Sequence, residues 1–403
     1  THQILNAPQP RALRVRAVAD FYYTQAAIIH HRPNDPCLVK DHQTLIDEAT
    51  WTPLQSGAAW KRVEGLTALG PIHVNVLKLE NPLLRTMDCR AQSAGQPLET
   101  FAQEKAALAA VSGGFFLYSE PDIQAPSART DPVGYLVDQG QTLNPPALHR
   151  ATLTQTQNGV LSIERMGPVG MQFSWSQGPI LTIQSHNRNT QTGVRSFNRA
   201  YGDISPKSGV QMLVVGNTIV DVSKEALPIP LAGMVICLEN TLPPEPGATI
   251  EWLGHENRRT DPLYSAMAGG PMLLQDGEVC IDREAEDFQR SAPPVTFSQD
   301  ETFDQNLLPR MAAGLDAQGT LFFAAIDGRN FHRAPGMTLE QTAHWMKALG
   351  CTVAMNLDGG SSKRMVVNDQ VVDLSSTEVV GAKAGKESIR PVHSAILIYP
   401  GKE

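Results

Sequence analysis

No Cys-x-x-C pair occurs in the chain. Cys37, Cys89, Cys237, Cys280 and Cys351 are scattered, which argues against a zinc site built from cysteines. Their odd number leaves at least one thiol unpaired within the chain. Both a reduced protein and one with one or two disulfides fit that count. Apolar runs are short, and none approaches the roughly 18–20 residues of a membrane span. Basic charge is scarce too, with 33 Lys plus Arg against 41 Asp plus Glu and a formal net charge of −8. Nucleic-acid and anionic-membrane binding need broad basic surfaces, so the balance argues against both. Any anion must be recognised locally. Histidines and aspartates do not cluster at the spacing of a metal-dependent phosphodiesterase, so neither a catalytic metal nor another cofactor is expected. Internal repeats, low-complexity tracts and a recognisable signal peptide are also missing. The chain starts at Thr1 rather than methionine, which suggests a processed precursor or a trimmed form.

What is present describes a globular protein: 403 residues, 41% apolar and 18% charged, enough for one large domain or two ordinary ones. Residues 1–69 carry no chemical motif and read as an N-terminal extension packing on a main domain of residues 70–403. In "PIHVNVLKLE" (71–80), Ile72, Val74 and Val76 alternate with polar residues, the pattern of a half-buried strand. "ETFAQEKAALAAV" (99–111) reads as a helix with Thr100 and Gln103 spaced for a capping box. From about 150 to 260 the chain is strand-like and broken by Gly, Pro and Asn. In "AGGPMLLQDGEVCI" (268–281), Asp276-Gly277 joins two apolar runs and predicts a type I′ hairpin. Residues 284–308 are polar and acidic and read as an exposed excursion.

The clearest unit lies near the C-terminus. "GTLFFAAIDGR" (319–329) is a strand ending in Asp327-Gly328-Arg329. "TLEQTAHWMKALG" (338–350) is a helix: Thr338 and Gln341 fit a capping box, Leu339, Ala343, Met346 and Leu349 line one face, and Gly350 suits the position after the last turn. "CTVAMNLDGG" (351–360) is a second buried strand. A strand–helix–strand of this length predicts a right-handed crossover between parallel strands. The expected fold class is therefore α+β: a mixed β-sheet with flanking helices, including a C-terminal β-α-β unit. Asp327 and Asp358 then end strands at one edge of the sheet, where ligands of such sheets bind.

These pieces, taken in order, resemble the phosphodiester glycosidase family. The resemblance is carried by "VSGGFF" (111–116), "AGGPMLL" (268–274), "LPRMAAGLDAQG" (308–319), "AAIDGR" (324–329), "GMTLEQTAHWMKALG" (336–350), "AMNLDGGSS" (354–362) and "RPVHSAILI" (390–398). It spans about residues 70–400 and is tightest from 308 onward. It implies an α+β domain, a setting outside the cytoplasm, and hydrolysis between a sugar's anomeric carbon and a phosphate diester. Ser112 stands where the family has asparagine, and Met311 where it has threonine. Only Gly359 and Gly360 precede the double serine, where many members have three glycines, which shortens that loop.

The residues themselves carry the chemistry as follows. Glycine pairs at Gly113-Gly114, Gly269-Gly270 and Gly359-Gly360 each stand beside a predicted strand and permit close backbone approach, as substrate contacts or as three unrelated turns. With them, Ser112, Phe115 and Asn356 are assigned to substrate binding. Successive N–H groups of Asp358-Gly359-Gly360-Ser361-Ser362 form a candidate anion nest, with both serine hydroxyls as further donors. Arg310 and Arg329 flank strands entering this edge, and a guanidinium matches phosphate bidentately. Lys363 and Arg364 lie further along and read as surface charge. Asp358 and Asp327 are the catalytic candidates. A phosphomonoester is already a good leaving group, so one carboxylate, acting as base or nucleophile, suffices. Asp358, directly before the glycine pair, is favoured, and Asp327 is placed to hold Arg329. Of the nearby histidines, only His332 follows a site residue closely. The leading expectation is a hydrolase of a sugar 1-phosphate diester in a glycan or glycan cap. An ordinary glycosidase on a non-phosphorylated glycan and a non-catalytic glycan-binding or exopolysaccharide accessory protein are the alternatives. The sequence assigns no oligomeric state.

Overall fold

The computed structural model describes residues 39–55, 57–88, 95–116, 132–189, 192–288, 305–330, 333–376 and 391–401. Its frame is an eight-stranded sheet. In chain order the strands are β1 (Thr52–Pro53), β2 (Ala58–Thr67), β3 (Gly70–Leu79), β4 (Met272–Gln275), β5 (Glu278–Val279), β6 (Arg310–Asp316), β7 (Leu321–Ile326) and β8 (Cys351–Asn356). In space they run β1-β2-β3-β7-β6-β8-β4-β5, and every neighbouring pair is antiparallel.

One face of this sheet is covered by helices α1 (His42–Glu48) and α3 (Leu339–Ala348). Leu45, Ile46, Leu339, Ala343, Trp345 and Met346 pack there on Val74, Val76, Ala324, Ile326 and Ala354. The other face packs on a five-stranded antiparallel sheet that includes Ala109–Ser112, Met365–Val367 and Ser394–Tyr399. Leu77, Leu79, Met311, Phe323 and Met355 meet Ala109, Val111, Met365, Ile396 and Ile398 in that layer. Each large side chain withdrawn from water there contributes about 1.5–3 kcal/mol. Helix α2 (Leu98–Glu104) closes the far side of the second sheet through Leu98, Phe101 and Ala102. Residues 132–288 add three smaller sheets around a further core that includes Phe173, Met212, Ile236 and Trp252. Among the described residues, no helix is long and apolar enough to cross a membrane.

The architecture corrects the α+β expectation: the protein is mostly β, with several antiparallel sheets and three short helices among the described residues. The predicted C-terminal β-α-β unit does not form, because β6 lies between β7 and β8 and pairs with both. The turn Asp316-Ala317-Gln318-Gly319 explains this. Asp316 Oδ1 accepts from the N–H groups of Gln318 (2.9 Å) and Thr320 (2.8 Å), and Gly319 sits at φ 83°, so β6 and β7 close as a hairpin. Strand β8 then adds to the open edge of β6. Since β7 and β8 are each antiparallel to β6, they point the same way, and both Asp-Gly ends reach one edge.

Other local expectations divide. The Thr338–Gln341 capping box of α3 forms in both directions, and Gly350 follows at φ 93°. Asp276 and Gly277 adopt φ 53° and 78° in the β4–β5 turn, as a type I′ hairpin requires. Helix α2, by contrast, spans only Leu98–Glu104 and has no side-chain cap. Ala106 turns the chain at φ 50°, and Ala109–Ser112 is a strand. Strand β3 is not half-buried: His73 and Asn75 are as enclosed as its valines, because layers cover both faces. Of the expected excursion at 284–308, residues 289–304 lie outside the described residues and Glu284 and Ala285 are exposed, but Glu286 and Phe288 are not. Glu286 is fully buried and accepts from the N–H groups of Ala151 (2.9 Å) and Met272 (2.7 Å). Strands β2 and β3 pair over all ten residues, from Ala58 opposite Leu79 to Thr67 opposite Gly70, so residues 58–67 are a strand of the main sheet. Cys237, Cys280 and Cys351 form no disulfide, and Cys37 and Cys89 lie outside the described residues.

Candidate functional site

The site is built where β7 and β8 run out. After β8, Leu357 N–H donates to Met311 O (2.8 Å), Asp358 N–H to Gly113 O (3.1 Å) and Gly360 N–H to Pro309 O (2.9 Å). Asp358 is thus pinned between the two large sheets, with its residue half-buried. A Cβ on Gly359 would stand 2.6 Å from Pro309 O, so only glycine lets the chain pass here. Residues Gly360–Ser362 then make one 3₁₀ turn.

The three glycine pairs converge on this point instead of forming unrelated turns. Gly113 supplies the carbonyl that holds Asp358, and its own N–H donates to Ser394 O (3.0 Å). Gly114 N–H donates to Ser394 Oγ (3.1 Å). Gly270 N–H donates to Asn356 O (2.7 Å), and Asn356 Nδ2 returns a bond to Gly270 O (3.0 Å). Gly269 N–H donates to Ala151 O (2.9 Å). Their immediate work is to let three backbones approach one another. At Gly114 a Cβ would stand 2.3 Å from Ala268 O. Gly114→Ala is therefore expected to lose about 1–3 kcal/mol of stability, since two main chains must part. A urea melt checks it, and an unchanged midpoint would contradict the packing described.

Ser112 is buried, and its Oγ accepts from Arg364 N–H (3.3 Å). Phe115 is half-buried and meets Phe288 edge-on, with ring centroids 6.5 Å apart. The two arginines part company. Arg310 is fully enclosed, and its guanidinium donates to Met337 O (2.9 Å) and Asn306 O (3.0 Å), tying the entry of β6 to the approach of α3. Arg329 is half-buried, and its Nη1 comes within 3.7 Å of the place a Cβ on Gly360 would occupy. It lies over the turn. The expected nest of successive N–H groups is narrower than its sequence suggests. The N–H groups of Gly360, Ser362 and Lys363 go to Pro309 O, Gly359 O and Gly360 O. Ser361 and Ser362 are largely enclosed, so solvent reaches the turn chiefly at Asp358, Gly360 and Arg329.

Asp327 sits deeper. Its carboxylate is closed off from solvent and accepts from His73 Nδ1, Lys363 Nζ and Leu374 N–H (3.0 Å). It does not hold Arg329 directly. Lys363 Nζ also reaches Asp373 Oδ2 (2.7 Å) and Leu374 O (3.1 Å). Asp373 Oδ1 accepts from Met365 N–H (2.6 Å), and Arg364 Nη1 lies 3.5 Å from Oδ2. Lys363 and Arg364 are buried at 2% and 3% exposure, which corrects their reading as surface charge. Burial alone would push the Lys363 ammonium down, but the Asp327 and Asp373 carboxylates outweigh it and hold its pKa above the ordinary value. Burial lifts the Asp373 carboxyl upward, against Lys363 and Arg364. On the outer side, Glu64 Oε1 approaches His73 Nε2 at 2.8 Å without hydrogen-bond alignment.

His73, Lys363, Arg364 and Asp373 are the site's neighbours that sequence reasoning missed. A signal existed in "KRMVVNDQVVD" (363–373). Asn368 and Asp369 both adopt positive φ, 47° and 61°, and the hairpin they close returns Asp373 to Lys363. His332 lies outside the described residues. His393 stacks on Phe116 at 4.0 Å between centroids. Among the described residues, no group of three or more His, Cys, Asp or Glu side chains is arranged to hold a metal ion.

Fold and site together describe a mostly-β protein with one half-buried carboxylate beside a glycine-serine turn. Residues 234–399 match the family model described as phosphodiester glycosidase, so the resemblance carried by the motifs holds over that part of the chain. No curated protein matches the chain. Among solved structures, the fold is similar to that of a hypothetical protein from Synechocystis, at 22% identity and a TM-score of 0.55. That alignment covers 87% of this chain and 63% of the Synechocystis protein. A protein from Burkholderia pseudomallei K96243, provisionally described as exported, aligns at 22% identity and a TM-score of 0.52, over 83% of this chain and 75% of its own. The zebrafish N-acetylglucosamine-1-phosphodiester alpha-N-acetylglucosaminidase catalytic domain, auto-inhibited by its pro-peptide, aligns over 87% of both chains at 14% identity and a TM-score of 0.45, too loosely to bear on chemistry here.

Proposed function

We propose that the protein hydrolyses the glycosidic C–O bond of a sugar 1-phosphate diester, releasing the sugar and a phosphomonoester. The observation that carries this reading is the half-buried Asp358 beside the Gly359–Ser362 turn, with Arg329 over that turn. Asp358 acts at the anomeric carbon as base or nucleophile. The phosphate leaves as an anion and needs no proton, so a second open carboxylate is unnecessary, and Arg329 neutralises the departing charge. The enclosure of Asp327 and Arg310 leaves these roles to Asp358 and Arg329. The family match over residues 234–399 supports a glycosidase-type hydrolase. The likeness to a provisionally exported protein supports a setting outside the cytoplasm.

One observation favours a second reading. The N–H groups of Asp358, Gly360 and Ser362 are spent on main-chain carbonyls, and the enclosed Arg310 guanidinium donates to Met337 O and Asn306 O, which weakens the anion site. An ordinary glycosidase acting on a non-phosphorylated glycan would need less of it. A panel of aryl glycosides and sugar 1-phosphate diesters separates the readings. Turnover of the diesters supports the first. Turnover of aryl glycosides alone supports the second, and binding without turnover of either would mean a glycan-binding protein.

Arg329→Lys tests the phosphate contact. The variant is expected to lose on the order of 10-fold or more in kcat/KM on a phosphodiester and far less on a neutral aryl glycoside, because lysine keeps the charge but not the planar fork. Equal losses on both substrates would assign Arg329 to the fold instead.

A further inference from the structure

Lys363 joins three chain segments that the site depends on. Its ammonium bonds to Asp327, two residues before Arg329, and to Asp373 and Leu374 O on the returning hairpin. Its own backbone N–H closes the Gly359–Ser362 turn onto Gly360 O (3.4 Å). The same residue therefore fixes the turn by its main chain and the Asp327-Gly328-Arg329 stretch by its side chain. Leu374 N–H adds a second tie to Asp327 Oδ1 (3.0 Å).

Arg329 needs such a frame. It sits at φ 49°, in the left-handed region that a residue with a Cβ adopts only at a cost. Its N–H donates to Pro335 O (3.3 Å), and Asn330 and Ala334 close the loop on that side. The Lys363 cluster holds the opposite side, at Asp327. Charge within the cluster balances, with Asp327 and Asp373 against Lys363 and Arg364. It therefore projects little net field toward the turn and acts through geometry.

We propose that Lys363 is a positioning residue, which through Asp327 and Asp373 sets Arg329 over the Gly359–Ser362 turn and so sets how tightly the site holds phosphate. This rests on the phosphodiester reading given above. Asp373→Asn is the informative substitution, because it keeps the side-chain shape and leaves the Lys363–Asp327 pair. On charge alone, removing a carboxylate near an anion site tightens phosphate binding. If Lys363 positions Arg329, the opposite follows.

The test is calorimetric binding of inorganic phosphate to the full chain, with a thermal melt of each preparation. Asp373→Asn is expected to bind phosphate about 10-fold more weakly than the wild type, and the Asp373→Asn/Arg329→Lys double variant no more weakly than Arg329→Lys alone, because two changes acting through one group do not add. A merely structural role would give additive losses or none. If Asp373→Asn does not fold, Lys363→Arg, which keeps the charge and displaces the head group, takes its place with the same expected pattern. Tighter or unchanged binding by the folded variant, or additive losses, overturns the inference alone. A wild type that binds no phosphate overturns the phosphodiester reading and the inference together.

Discussion

Asp358→Asn is expected to fold as the wild type does and to lose at least ~10²-fold in kcat on a sugar 1-phosphate diester, the usual scale for a positioned base or nucleophile. The fold should survive because asparagine matches the size of aspartate and the backbone tie at this residue does not depend on the carboxylate. The N–H donates to Gly113 O, and the neighbouring glycines make the close passage. The side chain belongs to a half-buried residue just after β8. Asparagine keeps the size and removes the basicity. Circular dichroism melts and steady-state rates on one preparation decide the matter. A folded variant with near-normal kcat would remove Asp358 from the chemistry.

Lys363→Met is expected to be the most destabilising single change near the site, by about 3–5 kcal/mol, because it strands buried carboxylates rather than deleting a whole ion cluster. That loss is a large part of an ordinary domain's stability, about 5–15 kcal/mol. Its pH dependence has a definite sign. In the wild type the raised ammonium pKa of Lys363 means its contribution is complete below its ordinary pKa and fades only in strong alkali. In the variant, Asp327 and Asp373 lose their shared cation, and burial already lifts Asp373. A carboxyl raised in the folded state favours folding in acid and disfavours it as pH rises through its folded pKa. The deficit should be widest near neutrality and should shrink as pH falls. Urea midpoints of variant and wild type across acid to neutral pH measure it, and a deficit that grows in acid would contradict the buried-pair description.

Local signals in this sequence were legible where one short segment decides its own structure. The Thr338–Gln341 cap and the Asp276-Gly277 turn depend on residues within a few positions, and both form as read. Sheet order depends on competition between distant partners. The periodicity of β7, α3 and β8 is compatible with a parallel crossover, and nothing local to those three elements shows that β6 will take the place between them. The turn at Asp316–Gly319 carries that information, because its side-chain bonds close β6 and β7 as a hairpin. The same contrast holds in the site. That the glycine pairs meet was implied by the family resemblance and by nothing local to each pair. That Asp327 would be sealed beneath Lys363 while Asp358 stays reachable depends on a hairpin closing ten residues later, and on layers covering both faces of β3 and β7. Charge type could be read from sequence, but burial of charge could not.

The central claim is that water attacks the sugar and not the phosphorus. Asp358 stands beside the turn that Arg329 overlies, a set suited to an oxocarbenium-like centre parting from a held phosphate. Hydrolysis of a sugar–phosphate–R diester in ¹⁸O-labelled water, with prompt mass spectrometry of both products, tests this directly. The expected result is label in the anomeric hydroxyl of the released sugar and an unlabelled phosphomonoester on R. Label in the phosphate, or release of a sugar 1-phosphate, would contradict the account.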